Sequence, residues 1–224
     1  MRDLTEEELD LLHRAAQELQ EGMVVNLGIG LPQYLPSFIP RGSSVVFHSE
    51  NGFVGMGEGE PEGTPDHDVI DAGGRACRVV KGAAFFFFLL SFAIVRGGNL
   101  DLAVLGAFEV AINGDLANWK IPGKLTPGMG GAMELAQKAN RVLVISRHQD
   151  KKGRSKLVPA VTLPLTAPGC VDTLITERAV FRNRGGRMAL TSVHPEYTPG
   201  GVLEGIECDV QVAEEMETWE ARHV

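Results

Sequence analysis

The sequence predicts an α/β protein of three layers, α/β/α, built on a mostly parallel open sheet. Three observations predict it. Short apolar runs recur without polar alternation, as in strands covered on both faces. Helical stretches alternate with these runs along the chain. The first run ends in glycines just ahead of a helix start, which is how open α/β sheets form ligand crevices at their carboxyl edges.

Each element has its own local reason. Thr5 and Glu8 have capping-box spacing, and Leu4 and Leu9 stand where a hydrophobic staple closes over a helix start. Leu9, Leu12, Ala16 and Leu19 then form an apolar stripe expected to pack on the domain, with Gly22 a suitable stop. Met23-Val24-Val25-Asn26-Leu27 reads as a strand running into Gly28-Ile29-Gly30-Leu31-Pro32. As a dinucleotide fingerprint this loop fails, because Gln33 stands where the third glycine belongs, and a tight turn explains Gly28 and Gly30 equally well. Pro36 is expected to shorten or kink the helix that follows. Val45-Val46-Phe47 is a second strand, ending in His48-Ser49-Glu50-Asn51-Gly52. Further strands are expected at 76–80, 102–105, 142–145 and 173–176, and helices at 84–95 and 131–139. Val180-Phe181-Arg182 and Met188-Ala189-Leu190, joined through Gly185-Gly186, read as a hairpin. With no repeat and no linker, residues 1–224 read as a single domain.

Composition narrows the class of function. At 224 residues the chain can bury a core without disulfide or metal staples, and 44% apolar with 22% charged residues is the balance of an ordinary globule. Its 21 basic against 29 acidic side chains leave a net charge of -8, which argues against nucleic acid as a partner. Cys77, Cys170 and Cys208 are odd in number and lack C-x-x-C spacing, as expected of a reduced cytoplasmic chain with no zinc site. The start of the chain is acidic where a secretion signal needs a basic and then apolar run. The apolar stretch 83–95, interrupted by Ser91 and closed by Arg96, falls short of the roughly 20 residues of a membrane span. The expectation is a soluble, cytoplasmic protein with no membrane contact.

Two places have the makings of chemistry. Glu50 lies at a strand end before an Asn-Gly turn; alone it reads as a solvated loop acid. In the company of glycines at a sheet's carboxyl edge, it reads as a carboxylate placed to attack an acyl carbon. The cluster Gly128-Met129-Gly130-Gly131-Ala132-Met133 opens a helix, where unpaired N–H groups suit an oxyanion or phosphate and small residues equally permit close packing. It lacks the Lys-Ser/Thr ending of a Walker loop. His48, His148 and His194 are scattered and read as structural or surface residues. The basic run Lys151-Lys152-Gly153-Arg154-Ser155-Lys156 reads as a solvated loop or as a patch steering a polyanion, and Phe85-Phe86-Phe87-Phe88 reads as core.

Across Phe47-His48-Ser49-Glu50-Asn51-Gly52-Phe53-Val54-Gly55 the sequence resembles the signature of the family I coenzyme A transferases, specifically their B (β) subunit. The likeness continues through Asp71-Ala72-Gly73, Arg96-Gly97-Gly98, Gly114-Asp115-Leu116-Ala117-Asn118-Trp119 and Ile121-Pro122-Gly123-Lys124. It runs on through the 128–133 glycine cluster, Leu163-Pro164-Leu165-Thr166, Gly169-Cys170-Val171 and Ala179-Val180-Phe181, and so covers most of the chain.

The resemblance implies the family's sugar-phosphate isomerase-like fold and a ping-pong transfer through a Glu50–CoA thioester. CoA is then a substrate carried transiently, with no metal and no prosthetic group. It implies an oxyanion- and CoA-binding set: Gly131 as an N–H donor to the oxyanion with Gly130 as neighbour, Asn51, and Gly28 and Gly30 in a CoA-lining loop. It also implies an A-subunit partner, since the A-type Gly-Gly-Phe loop is not found here. Its substrates would be an acyl-CoA and a short 3-oxo or dicarboxylic acid. The 121–124 motif favours the acetoacetate-using branch over the 3-oxoadipate branch, and a non-catalytic ligand-binding module of the same fold is the rival reading. The chain departs from relatives at Phe87, Phe88, Leu89 and Leu90, where small and polar residues are usual, and at Gly74, Asn99 and Arg147. Those departures bear on substrate identity.

Overall fold

The computed structural model describes residues 3–57, 68–124 and 128–219. Helix α1 (Glu6–Ala16) begins as the spacing predicts: Thr5 Oγ1 accepts from the Glu8 N–H, and the Glu8 carboxylate accepts from the Thr5 N–H. It ends sooner than expected, capped at Gln17, and Gly22 (φ 81°) serves a separate turn. Its buried face is Leu11, Leu12 and Ala15, rotated from the predicted stripe. The rotation brings Arg14 inward to a buried Glu18, which also accepts from Arg182 at 2.7 Å and from Arg141 at 3.3 Å. Burial works to raise the Glu18 carboxyl, but hydrogen bonds from Arg182 and Arg14 outweigh it and hold the pKa at about 2.

The strands, in chain order, are β1 (Val24–Leu27), β2 (Val46–Ser49), β3 (Phe53–Met56), β4 (Val79–Phe85), β5 (Leu102–Leu105), β6 (Glu109–Ala111) and β7 (Leu116–Ala117). They continue with β8 (Arg141–Ile145), β9 (Leu157–Val158), β10 (Thr173–Ile175), β11 (Ala179–Arg184), β12 (Arg187–Val193) and β13 (Gln211–Val212). Ten of them form one sheet in the order β13-β12-β11-β10-β8-β5-β1-β2-β3-β4. The central β2-β1-β5-β8-β10 strands are parallel, and antiparallel pairs flank them on both sides. The hairpin expected through Gly185-Gly186 is the β11–β12 pair.

Period-two alternation sorts the central strands between two layers. Val25, Leu27, Leu102, Val104, Leu143 and Ile145 pack toward α1 and a 3-10 helix at Leu31–Ser37. Ala103, Leu105, Val142, Val144 and Leu174 pack the other way, toward α2 (Phe88–Arg96), α3 (Ala132–Lys138) and the small β7-β6-β9 sheet. Pro32 and Pro36 explain why the turn after Gly30 is a tight 3-10 helix. A further short helix, α4 (Pro199–Leu203), packs on β12.

Three expectations are corrected here. The strand placed at 76–80 begins at Val79, Ala76 making only an isolated bridge to Ile70, and it runs on through Phe85. The helix placed at 84–95 therefore starts at Phe88. The cause is the ladder: Phe85 and Ala84 pair with Phe53 and Val54, and the Phe86 N–H donates to the Gly52 carbonyl at 2.8 Å. Gly52 (φ 129°) is obligatory in that contact, because a Cβ there would sit 2.3 Å from the Phe86 carbonyl oxygen. The phenylalanine run is likewise not core: Phe86 is half-buried, while Phe85, Phe87 and Phe88 are exposed, Phe87 by 77%. Among the described residues no helix is long and apolar enough to cross a membrane, and no cluster of three His, Cys, Asp or Glu suits a metal.

Candidate active site

Strand direction decides where the site lies. Residues after β1 and β2 emerge at the carboxyl edge of the parallel sheet. Helices α2 and α3 each lead into a parallel strand, β5 and β8, and so run antiparallel to them, with their N-termini at that same edge. Glu50 follows β2 directly, and Gly131 caps α3. The two are neighbours: a methyl group placed on Gly131 would lie 3.4 Å from Glu50 Cγ and 3.0 Å from the Phe92 ring. Glu50 is part-exposed, and its Oε2 accepts from Asn26 Nδ2 at 2.9 Å.

Behind the carboxylate lies a buried polar chain that the residue-by-residue reading missed. Asn26, His48 and Ser91 come from β1, β2 and α2, and each is fully buried. Asn26 Nδ2 lies 3.1 Å from His48 Nδ1, and His48 Nε2 lies 2.7 Å from Ser91 Oγ. Desolvation lowers the His48 pKa to about 4. The clue was available: Asn26 and Ser91 are the polar breaks in two otherwise apolar runs, and a polar side chain buried in such a run needs a partner.

The other predicted site residues are placed as follows. The Gly28 N–H donates to the Val104 carbonyl at 2.8 Å, extending the β1–β5 ladder. A Cβ on Gly28 would lie 3.0 Å from that carbonyl oxygen and 3.3 Å from Leu105, so the glycine serves the close approach of β1 to β5. Gly30 (φ 101°) has open space where a side chain would be, and its N–H donates to Gln33 Oε1 at 2.9 Å. Gly130 (φ 55°) is open on its Cβ side. Asn51 is exposed and donates to the Ile70 carbonyl at 2.8 Å. That bond belongs to a clasp in which the Ala72 N–H donates to Ser49 Oγ, while Asp71 accepts from Gln33 at 2.6 Å and from Arg75. The clasp ties the Glu50 turn to the Gly28–Pro32 loop.

Several sequence features lie elsewhere. The basic run lines a separate groove of about 850 Å³ with Lys124, Phe108 and Glu109, and no residue of β1, β2, α2 or α3 borders it. Within that run Arg154 pairs with Asp150 at 2.6 Å. His148 is buried against Val202 and Thr176, and desolvation followed by the charge of Arg178 lowers its pKa; His194 packs on Trp219 and Tyr197. Arg147, a departure from the family pattern, pairs with Glu7 and Glu8 of α1. At the helix pair beside the site, Arg96 of α2 donates to both carboxylate oxygens of Glu134 in α3.

Comparison with known proteins identifies the family. The B-type component of a succinyl-CoA:3-ketoacid coenzyme A transferase of Bacillus subtilis (strain 168), so named as probable, is 47% identical over 204 residues, 91% of this chain and 94% of that protein. The beta component of an acetate CoA-transferase of Escherichia coli (strain K12) is 42% identical over 208 residues, 93% of this chain and 95% of that one. The fold is shared with an acyl-CoA transferase of Escherichia coli O157:H7 at a TM-score of 0.76 and 20% identity, over 97% of this chain and 44% of that longer chain. Residues 10–205 match the family described as Coenzyme A transferase, and the chain belongs to that family as a subunit of the B type.

Proposed function

We propose that this chain carries the nucleophile of a CoA transferase that moves CoA from an acyl-CoA to a short 3-oxo acid such as acetoacetate. The observation that carries the reading is Glu50 at the carboxyl edge, with one carboxylate oxygen held by Asn26 and the start of α3 against its side chain. The free oxygen, Oε1, attacks the thioester carbonyl; the tetrahedral adduct collapses to a mixed anhydride and expels CoA thiolate. The thiolate then attacks the glutamyl carbonyl, leaving a Glu50–CoA thioester and releasing a carboxylate that carries off one glutamate oxygen. The acceptor acid reverses both steps. Each step is nucleophilic acyl substitution, so CoA acts as a substrate and the sequence of steps calls for no metal or prosthetic group.

Every adduct bears an oxyanion, and one preorganised donor to such a centre is worth about 3 kcal/mol. In this reading the Gly131 N–H is one donor, with Gly130 beside it. Asn51 holds the 70–72 segment over the site, Gly30 leaves space for the CoA chain, and Gly28 lets that loop lie close against β5. The remaining donors and part of the acid pocket come from an A-type subunit. Support for that partner is the B-type kinship together with the exposed Phe87, Phe88, Leu89 and Leu90 beside the site. The acetate-transferring relative makes acetate the acceptor to compare with acetoacetate and 3-oxoadipate. The test is to incubate the assembled transferase with acyl-CoA and no acceptor, then map the adduct by mass spectrometry. CoA is expected on the peptide containing Ser49-Glu50-Asn51, releasable by hydroxylamine. An adduct on Glu109 or Glu134 instead would remove Glu50 from the mechanism.

A further inference from the structure

We propose that His48, held by Ser91, is a positioning residue that fixes the Asn26 amide and so decides which oxygen of Glu50 attacks. The inference rests on Glu50 being the nucleophile and adds a second layer of residues to that reading. The hydrogen-bond directions assign themselves from one end to the other. Ser91 Oγ lies 3.4 Å from the Ser49 carbonyl, which can only accept, so Ser91 donates there and takes a hydrogen bond from His48 Nε2–H at 2.7 Å. His48 Nδ1 is then the lone-pair side and accepts from Asn26 Nδ2 at 3.1 Å. One amide hydrogen is thereby committed to the imidazole, with the His48 carbonyl also within 3.3 Å, and the other points at Glu50 Oε2 at 2.9 Å.

The alternative amide orientation is closed off. Turning Asn26 over would set its oxygen against the Glu50 carboxylate and leave the imidazole lone pair without a donor. In the orientation seen, Asn26 Oδ1 is buried with no hydrogen-bond partner, a cost the fold bears to keep the nitrogen toward Glu50. A protonated imidazole would present N–H to N–H at Asn26, and burial keeps His48 neutral down to about pH 4. Positioning matters here because Oε2 stays on the glutamyl carbon through anhydride and thioester while Oε1 is exchanged. Holding Oε2 leaves Oε1 as the attacking atom in each turnover.

The test uses the assembled transferase with three changes: His48→Leu, Ser91→Ala and His48→Gln. His48→Leu fills the space and removes both hydrogen bonds. His48→Gln can accept from Asn26 through its oxygen and donate to Ser91 through its nitrogen. The expected result for His48→Leu is kcat lowered about a hundredfold with KM within about threefold, and slower formation of the trapped Glu50–CoA adduct. Ser91→Ala is expected to lose about tenfold in kcat, and His48→Gln to return within about threefold of the parent. Adduct formation by His48→Leu at the parental rate would overturn the positioning role and leave the Glu50 reading standing. Equal losses in Leu and Gln variants would overturn it as well, since the side chain would then matter only for packing. An adduct mapped to another residue in the parent protein would overturn both.

Discussion

If Glu50 is the nucleophile, Glu50→Gln keeps the side-chain volume and loses the attacking anion, so a folded protein with turnover reduced by several orders of magnitude is expected. Glu50→Asp keeps the charge but draws the oxygen back by roughly 1 Å, a displacement that can cost about a hundredfold. Steady-state rates of the two variants, read beside their circular dichroism, check both statements. His48 gives this scale a second prediction, in stability rather than rate. Its folded pKa of about 4 lies below the ordinary 6.5, so between those values the unfolded chain binds the extra proton. Stability is then fully retained above pH 6.5 and falls as pH drops toward 4, by about 2 kcal/mol at pH 5. His148, lowered by burial and by Arg178, pulls the same way. Urea unfolding at pH 7 and pH 5 should show the loss, and His48→Gln should remove the His48 share of it. Glu50 stood out as a candidate in the sequence because its motif is contiguous. Asn26, His48 and Ser91 were not, because their bond network is assembled from β1, β2 and α2, and neighbours across a sheet leave no spacing to read.

Helix α3 begins on a glycine that has no backbone need to be one: Gly131 has φ -82°, open to any residue. Its reason is steric. A Cβ there meets two Phe92 ring atoms at 3.0 and 3.1 Å and Glu50 Cγ at 3.4 Å, so the ring must retreat or α3 must lift. Gly131→Ala is therefore expected to keep its fold and helix content while kcat drops about ten- to a hundredfold; a parental kcat would show that this approach is not needed for turnover. Element types were readable from composition: β5 appears at its predicted residues, and the alternation of apolar runs with helices foretold the central parallel strands. Boundaries at the β4–α2 junction were not readable, since a run of Phe and Ala suits either state and pairing with β3 decides it. The short β6, β7 and β9 strands escaped for a related reason. At two or three residues each, they are defined by mutual pairing more than by any local pattern.

Over the whole molecule, apolar surface gathers on one flank. Val79, Val80 and Phe85 of β4, with Phe87, Phe88, Leu89 and Leu90 at the start of α2, are all exposed on consecutive elements that adjoin the Glu50 turn. If an A-type subunit covers this flank, a Phe88→Ser, Leu89→Asp double variant should fold within about 0.5 kcal/mol of the parent, as surface changes do. It should also assemble at least tenfold more weakly. Size-exclusion chromatography and titration of the purified subunits would measure this, and unchanged assembly would place the interface elsewhere.

Among the described residues β4 is also an edge of the ten-stranded sheet. Its outer side carries backbone groups without a neighbouring strand, next to uncovered valine and phenylalanine. Such an edge templates pairing with any extended chain, including another molecule of the same protein. For a chain with this edge uncovered, such pairing is a hazard that rises with its concentration. Lys81, set mid-strand as a charge, and Gly82 at φ 94°, which bends the strand off the flat, slow such pairing but leave the residues on either side uncovered. If an A-type subunit covers this edge, recovery of the chain as soluble protein should rise when both are supplied in step.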